Sequence, residues 1–164
     1  MQLTQKIHHL SAQLHQDVTA IRRHLHAHPE LSFQEHKTAA YVQAMLKQHG
    51  IPFTAGVAGT GVVAYIEGKN PDKKTIALRA DMDALPITEA NNVPYKSTVP
   101  GVMQACGHDA HTASLLGAAQ ILNHLKQDFE GTVKLIFQPA EERMPGGASM
   151  MIKEGVLENP KPSG

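Results

Sequence analysis

Apolar residues recur along the first part of the chain with the spacing of amphipathic helices. In residues 4–26 they fall three or four positions apart, which predicts a helix. This helix is expected to end before Pro29, because the residue that precedes a proline avoids helical geometry. Residues 35–49 repeat the spacing and predict a second helix, with Gly50 in the position of a C-terminal cap.

Short runs of β-branched residues then predict strands, which lie at residues 61–66, 74–79 and 131–137. Three prolines make residues 84–107 irregular. Helical spacing returns over residues 109–126 and, more briefly, over residues 148–154. Because helices alternate with strands, the chain is predicted to fold as an α/β sandwich around a mainly parallel sheet.

Charge and composition indicate which binding partners and which cellular compartment are expected for the protein. Basic and acidic residues number 15 each, so neither nucleic acid nor an anionic membrane is expected as a partner. No apolar run approaches the ~20 residues of a membrane helix, and the first residues do not follow a signal-peptide pattern. Cys106 is the only cysteine, which excludes an internal disulfide and favours a cytoplasmic protein. Eleven histidines justify a search for metal ligands.

Polar side chains suited to metal binding follow three predicted elements that lie far apart in the sequence. They are Asp81 and Asp83 after the second strand, Glu141 and Glu142 after the third, and Cys106 and His108 before the helix that begins near residue 109. Open α/β sheets bind ligands beyond the carboxyl ends of their strands. These side chains are therefore predicted to meet at one edge of the sheet.

Cys106 and His108 are separated by one glycine, and a thiolate with an imidazole suits zinc or another borderline transition metal. Adjacent glutamates can divide the work of a catalytic metal site, because one binds the metal while its neighbour takes a proton from water. Each motif also has a plainer interpretation. Cys106 and His108 would be a buried residue and a helix start, and Glu141 and Glu142 would form a solvated face.

Two other chemical interpretations are weaker. Cys106 as a nucleophile, with His108 or His111 as its base, needs a hydrogen bond that side chains so close in sequence rarely form. That interpretation also leaves the two glutamates without a task. A non-catalytic structural metal site or binding module usually has several cysteine ligands, and this chain has one cysteine.

Four ordered motifs resemble a known family. Residues 23–31, 78–86, 106–112 and 137–142, together with the glycine pair at 146–147, are similar to the aminoacylase/carboxypeptidase superfamily of metallo-amidohydrolases. The most similar branch contains hippurate hydrolase, N-acyl-L-amino acid deacylases and auxin-conjugate hydrolases. The resemblance covers about residues 20 to 160. It implies a zinc-peptidase-like catalytic domain with a three-layer α/β/α sandwich and a mixed sheet.

The resemblance also implies a centre with two divalent metal ions. Zinc or manganese is expected, and cobalt or nickel suits the same ligands. Cys106, His108 and Glu142 match metal ligands, with Cys106 bridging the ions, and Glu141 matches the catalytic base. The implied reaction is hydrolysis of the amide bond in an N-acyl amino acid, in which Glu141 takes the proton of a metal-activated water and passes it to the leaving amine. A dipeptidase or carboxypeptidase of the same superfamily is the alternative.

The resemblance further implies that the chain is the N-terminal portion, residues 1–164, of a longer catalytic domain. Additional histidine ligands and a smaller dimerisation domain are expected elsewhere, so the full-length protein would be a homodimer or higher oligomer acting on a small molecule. The chain alone is expected to fold but to be inactive or nearly so.

Four residues are expected to lie beside the metal ligands: Asp81, Asp83, Asp109 and His111. Other branches carry a histidine ligand at the position of Asp81, so a weak ligand role for this residue stays open. Asp109 is expected to cap the third helix and to orient His108. His111 is equally an ordinary helix residue. The alternating histidines at positions 24, 26 and 28 fall at a helix end and are expected to be structural.

Overall fold

A computed structural model describes residues 2–164 as four α-helices and one four-stranded sheet. The helices are α1 (Leu3–Ala27), α2 (His36–Gln48), α3 (His108–His124) and α4 (Gly147–Lys153). The strands are β1 (Phe53–Val57), β2 (Gly61–Glu67), β3 (Thr75–Asp81) and β4 (Thr132–Gln138). A short 3-10 helix at Pro71–Lys73 precedes β3. The predicted helices and strands are all confirmed, with ends shifted by at most two residues.

The strand order is β1-β2-β4-β3. β3 and β4 pair in parallel because α3 connects them as a crossover, whereas the β1–β2 and β2–β4 pairs are antiparallel. The expected mixed sheet is confirmed, but the expected predominance of parallel pairing is not found in residues 2–164. Only the β3–α3–β4 connection is long enough to return the chain in the same direction.

The hydrophobic pattern does not predict β1, because the middle of this edge strand is exposed on both faces. β1 instead pairs with β2 through a tight hairpin. Its turn holds Ala58 at a φ of 51° and Gly59 at a φ of 92°, both left-handed. The register shift between Ala55 and Val57 shows that the hairpin is irregular.

Helices cover the two faces of the sheet unequally. Three helices, α1, α2 and α3, pack on one face around buried side chains that include Leu25, Val42, Leu116, Leu135 and Phe137. The opposite face is covered by α4, whose Met151 packs with Val63, Ile136 and Val156. The three-layer arrangement is therefore confirmed, with one thick and one thin helical layer.

α1 is an amphipathic helix of 25 residues that packs along α3. Its buried side chains are Ile21, Leu25 and His26, and most of its other residues are exposed to solvent. In the described part of the chain, no helix combines the length and the apolar character that spanning a bilayer requires.

Lys134 lies in the middle of β4 and is completely buried. Its ammonium donates hydrogen bonds to the carbonyl oxygens of Val156, Glu158 and Pro160, at 2.7, 2.9 and 2.8 Å. Burial lowers the pKa of Lys134, which the nearby charge of Glu158 partly offsets. This lysine anchors the segment after α4 to the centre of the sheet.

Candidate metal centre

The carboxyl ends of β3 and β4 lie side by side, with Asp81 of β3 opposite Gln138 of β4. Asp83 follows β3, and the two glutamates follow β4 after Pro139 and Ala140. The sequence therefore delivers its acidic residues to one edge, as predicted from their position after the carboxyl ends of the strands. α3 packs against β3 and begins at this same edge with His108.

The structure brings Cys106, His108 and Glu142 together. One ligand atom from each, the thiol sulfur, a ring nitrogen and a carboxylate oxygen, lies within 4.8 Å of the other two. The thiol is exposed, whereas the ring of His108 is buried. This is the spacing at which three side chains can share one ion, with one side left open to solvent.

His108 is oriented by the backbone of Asp83. Its Nδ1 lies 2.9 Å from the Asp83 carbonyl oxygen, which can only accept, so Nδ1 carries a proton and Nε2 faces the cluster. Nε2 lies 3.7 Å from Asp81 Oδ1, 3.8 Å from Glu142 Oε1 and 3.9 Å from Glu141 Oε2. A ring nitrogen surrounded by carboxylate oxygens is well placed to bind a cation.

The charges around the cluster favour a bound cation. Burial alone would lower the pKa of His108, but its hydrogen bond to Asp83 and the charge of Asp81 raise this pKa to about 9. A hydrogen bond to Glu142, burial and the charges of Glu142, Glu141 and Asp81 raise the pKa of the Cys106 thiol. Without a cation, both ligand atoms therefore hold a proton at neutral pH. A divalent ion would replace these protons, so the donor set fits a metal.

Asp83 links the cluster to the chain around it. Burial would raise the pKa of Asp83, but hydrogen bonds from His108, Ser32 and the backbone of Glu142 and Glu141 lower it to about 2. Its Oδ2 accepts from Ser32 Oγ at 2.6 Å and from the Glu142 N–H at 3.0 Å. Asp83 thus contacts both His108 and Glu142 and fixes their relative positions.

Asp81 and His111 form a second pair at the rim. His111 Nδ1 lies 2.7 Å from Asp81 Oδ1, and Arg79 lies 3.1 Å from the other oxygen. Asp81, His108 and His111 also have ligand atoms within 4.8 Å of one another. His108 belongs to both groups, however, and its Nδ1 is engaged by Asp83. Because Arg79 and His111 already contact the two oxygens of Asp81, the Cys106 group is the better cation site.

The expectation that Asp109 occupies the N-cap position of α3 is wrong, and the ring of His108 is oriented by Asp83. Gly107, with a φ of 92°, occupies the N-cap position, and no side chain caps it. The Asp109 carboxylate accepts the Ala110 N–H in the first turn of α3 at 2.9 Å, and its other oxygen contacts His26 Nδ1 at 2.7 Å and Arg22 Nε at 2.8 Å. Asp109 therefore joins α3 to α1. Its position in the sequence does not reveal these partners, because they lie on another helix.

The alternating histidines at the end of α1, of which His28 directly follows the helix, behave as structural residues, in agreement with the sequence. His26 is buried between Asp109 and Glu89, at 2.7 and 3.1 Å. His24 stacks on Tyr41, with ring centroids 4.3 Å apart. In the part of the chain that the structure describes, no group of three metal-binding atoms includes them. The buried role of Glu89 was missed, because it lies in an irregular segment without a pattern.

The glycine pair at 146–147 packs directly on the turn that carries the glutamates. Gly147 donates its N–H to the Ala140 carbonyl at 2.8 Å, and a Cβ at Gly147 would lie 1.8 Å from the Pro139 carbonyl oxygen. The carbonyl group and the ring of Pro139 leave no room for a side chain. The sequence needs glycine here because α4 begins against the metal-site turn.

Gly147→Ala is expected to lower the free energy of unfolding by about 3 kcal/mol, the upper end of the usual cost of overpacking. Thermal or urea unfolding of the chain measures this change. Gly164→Ala is the matched control, because a Cβ there meets open space. Equal stability of the two variants would contradict the close approach of α4 to the turn.

The fold and the donor set define a class, an α/β domain with a candidate metal centre at the carboxyl edge of its sheet. A model of peptidase family M20/M25/M40 matches residues 77–164, just over half of the chain. The chain belongs to this family. The metallo-amidohydrolase resemblance drawn from its four motifs is thereby confirmed.

Three similar proteins illustrate the relationship. The chain is 49% identical over 154 residues to an N-acyl-L-amino acid amidohydrolase of Geobacillus stearothermophilus, covering 94% of this chain and 41% of that protein. It is 46% identical over 159 residues to thermostable carboxypeptidase 2 of Saccharolobus solfataricus, covering 96% and 40%. The solved structure of the Bacillus subtilis YXEP protein, a dinuclear metal-binding peptidase, matches with a TM-score of 0.84 and 46% identity, covering 89% and 41%. The chain thus spans about two fifths of the length of these relatives.

Proposed function

We propose that this chain supplies metal ligands and the general base of a metal-dependent amidohydrolase that removes the acyl group from N-acyl amino acids. The observation that carries the proposal is the meeting of Cys106, His108 and Glu142, with ligand atoms within 4.8 Å of one another. The name of the Geobacillus relative supports the substrate class, and the dinuclear centre of the Bacillus structure supports two metal ions.

Each side chain of the site has a distinct role in this proposal. Cys106, His108 and Glu142 would hold the metal, which, when bound, polarises the amide carbonyl and lowers the pKa of a water molecule. We assign the role of base to Glu141, which matches the catalytic base of the family and whose side chain is 43% exposed, against 24% for Glu142. It takes the proton of the attacking water and delivers it to the leaving amine. Such proton transfer typically contributes ~10²–10⁴ in rate.

The same donor atoms bear on the choice of metal and on the cellular compartment. A thiolate with an imidazole favours zinc, and manganese, cobalt or nickel suits the same side chains. We place the protein in the cytoplasm, because the Cys106 thiol must stay reduced to bind metal. Residues 1–164 would be the N-terminal portion of the catalytic domain of a homodimer or higher oligomer, whose dimerisation domain and remaining histidine ligands belong to other parts of the protein. This assignment is supported by the two fifths of each relative that the chain matches.

A dipeptidase or carboxypeptidase is the second candidate. It is favoured by the 46% identity to thermostable carboxypeptidase 2, which nearly equals the identity to the amidohydrolase. The two candidates use the same metal centre and base, so they differ in the group on the acyl side of the cleaved bond. A substrate panel that contains both N-acyl amino acids and peptides separates them.

The test is a chimaera in which this chain replaces the matching N-terminal part of the Geobacillus amidohydrolase. With zinc or manganese, the chimaera is expected to release amino acids from N-acetyl and N-benzoyl substrates, and a chelator is expected to abolish this release. The chain alone is expected to be inactive, because the proposed ligand set is incomplete. A folded, metal-loaded chimaera that cleaves no amide would contradict the proposal. Turnover by the chain alone within about tenfold of the chimaera would contradict the incomplete ligand set.

A further inference from the structure

Glu35 is a completely buried carboxylate that none of the roles above uses. It lies directly before α2. Its Oε1 accepts the N–H groups of Phe33 and Ala140, at 3.0 and 2.8 Å, and its Oε2 accepts the hydroxyl of Thr60 at 2.7 Å. All three neighbours are donors, so both oxygens of this acceptor-only group are satisfied without solvent.

The contact with Ala140 is the informative one. Ala140 immediately precedes the base and the ligand of the proposed centre, and it has a φ of 47°, which a residue with a side chain rarely adopts. The Ala140 N–H donates to the Glu35 carboxylate, and the Ala140 carbonyl oxygen accepts the N–H of Gly147 at 2.8 Å. The peptide units around Ala140 are therefore clamped from two sides, and this fixes the direction in which Glu141 and Glu142 leave β4.

The segment between α1 and α2, to which Glu35 belongs, also supports the other side of the turn that carries Glu141 and Glu142. Ser32 donates to Asp83 Oδ2, and the same oxygen accepts the N–H of Glu142. Two buried carboxylates thus grip the backbone on either side of Glu141. One of these carboxylates, Glu35, belongs to the segment between α1 and α2, and the other, Asp83, accepts a hydrogen bond from Ser32 of that segment. The segment lies more than a hundred residues before the turn in the sequence.

We propose that Glu35 is a positioning residue, which holds Glu141 and Glu142 in place through the Ala140 N–H and touches neither metal nor substrate. The catalytic meaning of this role rests on the proposed function. Its structural part is testable by metal binding alone, because a displaced turn moves Glu142 away from Cys106 and His108. Loss of a group that supports a ligand typically weakens metal affinity by about 10–100-fold.

The experiment measures Co²⁺ binding to the chain through the charge-transfer absorption of the Cys106 thiolate. Glu35→Ala is expected to weaken binding by about 10–100-fold, because the Ala140 N–H loses its acceptor. Glu35→Gln is expected to stay within about threefold of the unsubstituted chain, since its amide oxygen accepts both N–H groups and its NH₂ donates to Thr60. If Glu35→Ala does not fold, Glu35→Asp, which is too short to reach Ala140, takes its place with the same expectation.

Glu30 provides the matched control. Its carboxylate accepts the backbone N–H groups of Lys37 and Thr38, at 3.2 and 2.8 Å, and so holds the start of α2 from the same segment. Glu30→Ala is expected to lower the melting temperature without changing Co²⁺ affinity. A double-mutant cycle adds a second control, because Glu35→Ala should weaken binding little further once Glu142→Ala has removed the ligand on which it acts.

Unchanged Co²⁺ affinity in folded Glu35→Ala would overturn the positioning role, and so would an equal loss in Glu30→Ala or in the Glu142→Ala background. If the unsubstituted chain binds no Co²⁺, the proposed metal centre itself is wrong, and the role of Glu35 is overturned with it. Failure of the proposed function and failure of the inference therefore give different results.

Discussion

Glu141→Gln is expected to lower the turnover number of the chimaera by about 10²-fold or more and to leave its metal content nearly unchanged. The amide keeps the size of the side chain but cannot accept the proton of the attacking water. Glu141 lies at the rim of the cluster, 3.9 Å from His108 Nε2, so its replacement leaves Cys106, His108 and Glu142 in place. Steady-state hydrolysis of an N-acyl amino acid, with metal analysis of the same sample, measures both quantities.

The control for this prediction is Glu142→Gln, which should show the opposite balance. This neighbour has the same length and charge, but the proposal makes it a ligand, so its loss should reduce metal content as well as turnover. Near-normal turnover in Glu141→Gln would remove Glu141 from the role of base. Identical behaviour of the two variants would show that the glutamates do not divide the work.

Cys106→Ala should abolish most metal binding by the chain. Only His108 and Glu142 of the group would remain, and the metal ion would lose its thiolate ligand. The loss should exceed the about 10–100-fold that removal of a group behind a ligand costs. A zinc titration of the chain against a competing chromogenic chelator measures the affinity.

Alkylation of Cys106 distinguishes a ligand from a nucleophile. The thiol is exposed, so iodoacetamide should modify the metal-free chain, while bound zinc should protect it. The carboxylates nearby raise the pKa of this thiol, which is the reverse of what an activated nucleophile needs. Rapid alkylation of the zinc-loaded chain, or full zinc affinity in Cys106→Ala, would contradict the ligand role.

The sequence predicted those parts of the molecule whose cause is local. The helices and three of the four strands were predicted because their apolar residues recur with a regular period. The meeting of Cys106, His108 and Glu142 was predicted because strand ends and helix starts share one edge of an α/β sheet. Both arguments need only the order of elements along the chain.

The remaining features depend on partners that are distant in sequence. Asp109 looked like a helix cap, but Arg22 and His26 of another helix decide its contacts. Glu35 looked like the start of a helix, and its contact with Ala140 lies 105 positions away. Lys134 interrupts the apolar pattern of a strand that proves to be buried throughout. No periodicity marks such residues, because their role is set by tertiary packing.

The buried ammonium of Lys134 makes the end of the described chain part of the sheet's cooperative unit. An ammonium has three protons, and each is donated to a different carbonyl of residues 156–160. Detaching that segment alone would leave a charge inside the protein without acceptors. Its amides should therefore exchange with solvent through the same opening event as those of β4. We therefore expect residues 156–160 to open as slowly as the strand to which Lys134 binds them.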